Sequence, residues 1–135
     1  MTSPESPDQT SRLPGVTRAA RAGFAVYAIA LVVATHWPNL RIEGPIERPD
    51  LYLHAGAFGL WTLLLIACSF FGQTLGSRNV LACALVGSAF ASLDELSQSI
   101  PILNRVSAVD DAVSNLVGVI LAAIGCLVLG AALRR

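Results

Sequence analysis

Charge is scarce in this chain, and lysine is missing altogether. Only 13% of its 135 residues are charged, about half the share in an ordinary soluble domain. Nine Arg balance nine acids, so the formal net charge is zero. With no basic stripe, nucleic acid is excluded as a partner. The charges at the two ends are too sparse for a tail that binds polyanions. No nucleophile motif and no phosphate-cradling glycine loop is present. No internal repeat and no soluble domain can be made out. The cysteines are few: Cys68, Cys83 and Cys126 all lie inside apolar runs. Their spacing fits no zinc or redox pattern, so they read as small packing residues.

Apolar residues, at 54%, are what the chain has in excess, and they fall into four runs. The first seventeen residues, rich in Ser, Pro, Thr and acids, read as a disordered tail rather than a secretory signal. Residues 18–135 read as one transmembrane domain, with spans near 20–37, 51–71, 80–98 and 111–133. The first is near the minimum of about 17 residues for a crossing. It works if Arg21 snorkels, with Trp37 at the far interface and Pro38 ending the helix. Asp50 after Pro49 suits the start of the second, where Asp can cap free amides. Gly56 and Gly59 offer close helix approach in that span. The connection 72–79 is short, which makes its flanking helices antiparallel neighbours. The expected fold is all-α, an integral membrane four-helix up-down bundle behind a disordered N-terminal tail.

Arginine sets the expected orientation. With both termini in the cytoplasm, six Arg (12, 18, 21, 78, 134, 135) lie inside and three (41, 48, 105) outside. The polar residues of the spans then gather on the outer side. His36 ends the first span, and Asp50 and His54 open the second. Glu95 and Gln98 end the third, and Asp111 and Asn115 open the fourth. The inner ends deliver only arginines. An ionisable residue at membrane depth is costly, and by default it marks a functional site. Asp50 and His54 share one helix face by their spacing. Asp111, Asn115, Gly118, Ala122 and Gly125 form one stripe, polar outside and small inside, with Gly118 and Gly125 expected at helix contacts. Glu95 is expected to point inward and Asp94, about 100° around the helix, to reach the interface. His36 beside Trp37 reads chiefly as an interfacial anchor.

These residues resemble those of the VanZ-like family of membrane proteins. The matching pieces are Asp50-x3-His54-x3-Phe58, Glu95-x2-Gln98 and Arg105-x5-Asp111-x3-Asn115-x2-Gly118. Each is weak alone; their order, spacing and placement on three spans make the combination specific. The resemblance covers Asp50 to about Gly125 and implies a small four-span membrane domain. It carries over no enzyme activity and no antibiotic phenotype. The chain departs from the pattern at Ala108, where members often carry a further Asp, and Asp110 follows as a substitute.

The expected polar pocket comprises Asp50, His54, Glu95, Gln98, Arg105, Asp111 and Asn115. Four of them, Asp50, His54, Glu95 and Asp111, are a ligand set for a divalent metal cofactor. The same groups suit acid–base work on a lipid head, with Ser92, Ser97 and Ser99 as nucleophiles only by proximity. Whether the pocket is catalytic stays open. The partners implied are the bilayer and a lipid-linked or lipid-tailed envelope ligand, in a bacterial inner membrane. A homo-oligomer or a membrane partner fits equally well. The rival reading is a non-catalytic scaffold whose polar cluster only locks helix packing. A transporter is disfavoured, since the inner half offers no polar path.

Overall fold

A computed structural model of the chain describes residues 14–38, 47–98 and 109–135. The tail preceding Pro14, and both loops on the Asp50 side including Arg105, lie outside the described residues. The described residues form four helices: α1 (Pro14–Thr35), α2 (Pro49–Ala67), α3 (Ser77–Gln98) and α4 (Val109–Ala132). All four are long and apolar enough to cross a membrane. They also turn large apolar side chains outward, among them Leu60, Leu63, Leu85, Leu121, Ile124 and Val128. In water such a surface would drive association. In a bilayer it is the solvated face, and the chain is a multi-pass membrane protein.

The helix ends differ from the expected spans for local reasons. Pro14 opens α1, where a missing amide proton costs nothing. That helix stops at Thr35, leaving His36 and Trp37 beyond it. Helix α2 begins one residue before Asp50. Its N-cap is Arg48, whose side chain caps nothing; Pro49 and Asp50 occupy the first turn. Asp50, inside the first turn and not at the N-cap position, accepts from the backbone amides of Asp50 and Leu51 and places its charge near the positive end. Helix α2 ends at Ala67, four residues short of the expected Phe71. Ser69 then turns at φ 55°.

Neighbouring helices alternate in direction. Tyr27 donates its hydroxyl to the Ala57 carbonyl at 3.0 Å, tying α1 to α2. Val119 of α4 lies opposite Gly87 of α3. The most intimate seam joins the two parallel helices α2 and α4. A Cβ at Gly118 would stand on the Ala55 carbonyl, 2.8 Å from its carbon, and 2.9 Å from the Gly59 nitrogen. Gly59 and Gly118 thus permit the contact expected of small residues. Gly56 and Gly125 do not contribute: a Cβ at either meets nothing within 4 Å. The spacing puts Gly125 on the Gly118 stripe, but the tight contact to α2 does not extend that far along α4. Its close counterpart nearer the far end is Gly130, facing the Leu75 carbonyl.

The core lies among α2, α3 and α4, around Phe58, Ile66, Val80, Cys83 and Val119. Trp61 stacks on Phe90 with centroids 4.8 Å apart, and Phe24 meets Trp61 edge-on at 5.1 Å. Helix α1 is the outlier: 6% of its spanning stretch is buried, against 33% for each of the others. It covers the α2–α3 side and leaves most of its surface to lipid.

The end of the bundle away from His54 holds more than arginine. Asn79 is fully buried there. Its side chain accepts from the Phe71 amide and donates to the Ile66 and Thr74 carbonyls, each at 3.0 Å. One amide thereby closes the α2–α3 turn, which corrects the expectation of an inner end without polar structure. Arg21 lies over the Phe70 ring at 4.7 Å on the same side.

Candidate functional site

Parallel pairing of α2 with α4, and a contact between the ends of α1 and α3, bring the polar helix ends together as two groups rather than one. The first lies between α2 and α4. His54 Nδ1 is 2.9 Å from Asn115 Oδ1, and His54 Nε2 is 3.8 Å from Asp111 Oδ2. Asn115 is completely buried. Because its oxygen can only accept, Nδ1 is the protonated nitrogen and Nε2 faces the carboxylate. Two buried polar atoms there lack hydrogen-bond partners among the described residues, Asn115 Nδ2 and Asp111 Oδ1.

Arg48 closes the outer edge of this group. Its guanidinium lies 3.1 Å from Asp110, 3.3 Å from Asp50 and 3.9 Å from Asp111 Oδ1. It thereby links the first turns of α2 and α4. Its backbone is left-handed, at φ 57° and ψ 57°, a conformation that residues with a Cβ rarely adopt. Hydrogen bonds to Asp50 and then Asp110 hold the guanidinium above its ordinary pKa, so it remains a fixed positive charge. Asp50 reaches His54's group only through this arginine.

The second group joins the ends of α1 and α3. Asp94 is buried and accepts from Thr35 Oγ1 at 2.9 Å and from Gln98 Nε2 at 3.0 Å. His36 contacts Ser97 Oγ through Nε2 at 2.8 Å. Gln98, expected beside His54, belongs here. Asp94 does not reach the interface as expected, because α1 packs over that side of α3 and brings Thr35 to it. Asp94 and its neighbour Glu95 are both buried. A 100° turn of helix leads away from a narrow seam, but not out of a face covered by two neighbours.

The proposed metal ligands do not converge. Among the described residues, no group of three or more His, Cys, Asp or Glu side chains is arranged to hold a metal ion. Asp50 and Asp111 instead find their positive charge in Arg48, and Glu95 lies on α3. Arg48, Thr35, Asp94 and Ser97 were absent from the expected pocket. The signal for Arg48 was its place directly before Pro49-Asp50. For the others it was the meeting of two span ends on one side of the membrane. No family model, curated protein or solved structure matches the chain.

Proposed function

We propose that this chain is a VanZ-like protein of the bacterial cytoplasmic membrane, with both termini inside, whose outward α2–α4 mouth binds or processes a lipid-linked or lipid-tailed envelope ligand. The observation that carries the reading is the buried Asn115 amide. Among the described residues its Nδ2 has no hydrogen-bond partner, and neither has Asp111 Oδ1, whose nearest cation is Arg48 at 3.9 Å. A buried polar atom without a partner costs about 1–3 kcal/mol. A ligand offering one acceptor and one donor recovers that cost. Arg48 at the rim supplies a fixed charge for the polar head, and His54 and Asp111 supply hydrogen-bonding groups beside it.

The experiment is thermal unfolding of the detergent-solubilised protein against a panel of lipid head groups. A ligand that binds only the folded state raises the melting temperature. That rise should disappear in Asn115→Leu and His54→Leu while both variants still fold. The host's envelope phenotype should be lost with it in Asp50→Asn and His54→Leu. Folded variants that keep full activity would leave the scaffold reading.

A further inference from the structure

We infer that Ser97, His36 and Asp94 form a nucleophile, a base and a positioning carboxylate for acyl transfer from a lipid ester. Ser97 Oγ lies 2.8 Å from His36 Nε2. On the other side of the ring, Nδ1 is 2.9 Å from the Val32 carbonyl and 3.0 Å from Thr35 Oγ1. A carbonyl only accepts, so Nδ1 carries the proton and Nε2 turns its lone pair to the serine hydroxyl. Thr35 in turn donates to Asp94 Oδ1 at 2.9 Å, closer than its alternative acceptor, the Val32 carbonyl at 3.2 Å. Asp94 itself stands 3.7 Å from Nδ1. A nucleophile and base within hydrogen-bond reach, with the base oriented by a third group, is the arrangement nucleophilic catalysis needs.

Burial divides the roles. The Asp94 side chain is 1% exposed and the His36 ring 26% exposed. The carboxylate is thus shielded from water, 3.7 Å from the ring nitrogen that it faces. The ring and hydroxyl open toward the end of the bundle. The single proton of Ser97 has a second acceptor, the Asp94 backbone carbonyl at 2.6 Å. Rotation of that hydroxyl toward Nε2 primes attack. A serine satisfying its own helix is ordinary; an imidazole from another helix aimed at the same oxygen is not required for that purpose.

Depth selects the substrate. The set sits where two spans end, beside Trp37, which is 59% exposed. The interfacial layer outside the roughly 30 Å hydrocarbon core is where the ester linkages of lipids lie. In the first step Ser97 Oγ bonds to the ester carbonyl carbon and its proton passes to His36 Nε2. The carbon–oxygen bond to the alcohol breaks, and the alcohol leaves with that proton. Water then attacks the acyl-serine. Its proton returns through Nε2 to Ser97 Oγ, and the fatty acid departs. No electrons are exchanged, and water is the only co-reactant. Ser97 and His36 are the catalytic residues; Thr35 and Asp94 are positioning residues. None of this depends on the α2–α4 mouth.

The test is labelling of the full-length protein in detergent with an alkyl fluorophosphonate, read by mass spectrometry of the modified peptide. The wild type should be labelled at Ser97, and Ser97→Ala should abolish the label. His36→Gln should slow labelling at least about 100-fold at unchanged melting temperature, and Thr35→Val should slow it less. Gly125→Ala, where an added Cβ meets nothing within 4 Å, should label as the wild type does. Folded wild-type protein that leaves Ser97 unmodified overturns the inference, and so does equal labelling of His36→Gln.

Discussion

Replacing Gly118 by alanine adds one methyl group at the tightest point of the α2–α4 seam. The added Cβ would lie 2.8 Å from the Ala55 carbonyl carbon and 2.9 Å from the Gly59 nitrogen. Carbon atoms sit at their best separation near 3.5–4.0 Å, so the new carbon is short by roughly 0.7 Å or more. Both obstacles are backbone, and no side chain can rotate away. The helices must part, or α2 must bend, and overpacking of this kind costs about 1–3 kcal/mol. Gly125→Ala is the matched control on the same helix. Nothing lies within 4 Å of its added Cβ, so it keeps only the gain of alanine over glycine within a helix, about 0.5–1 kcal/mol. The helix gain is common to both variants, so they should differ by the overpacking cost, roughly 1–3 kcal/mol, with Gly118→Ala the weaker. Reversible unfolding in mixed micelles with rising denaturing detergent measures that difference directly. Equal stabilities, or the opposite order, would refute the placement of the seam.

Three further outcomes are expected. Asn79→Leu should cost about 2–5 kcal/mol, since it strips partners from the Phe71 amide and from the Ile66 and Thr74 carbonyls; proteolysis within 68–76 should rise with it. Asp94→Asn should loosen α1 before the rest of the bundle, seen as faster hydrogen exchange over the last turn of α1 while α2 and α4 stay protected. Reporter fusions at Gly76 and Arg135 should read cytoplasmic and one at Gly44 external; a cytoplasmic signal at Gly44 would overturn the proposed outward face.

The pattern of apolar runs sufficed for four helices in alternation, because backbone groups in lipid leave the chain no other regular choice. Single residues were legible where one local rule decided the outcome. Gly118 stood on a small-residue stripe, and a stripe of that kind permits close approach. Gly125 stood on the same stripe and makes no such contact, because spacing along one helix carries no record of where a neighbour crosses it. Asp94 shows the same limit from the other side. Its helical angle was read correctly relative to Glu95, yet α1 covers that direction, and the weakly buried α1 gave no pattern from which its position could be argued.

Pairing between helices explains the division of the polar end. Alternating direction places all four polar ends together, which invites a single site. Packing then makes a finer choice. The glycine seam draws α2 onto α4, so His54 meets Asn115 at 2.9 Å, while α1 closes on α3 and Thr35 meets Asp94 at 2.9 Å. A buried carboxylate cannot be left without donors, and each group answers that need with its own: Arg48 in one, Thr35 and Gln98 in the other. The first answer comes from outside the helix ends and, among the described residues, leaves an amide nitrogen and a carboxylate oxygen without a hydrogen bond. The second comes from within the bundle and fills both oxygens of Asp94. Binding and acyl transfer therefore call for separate tests, and a substitution in one group should leave the other's readout unchanged.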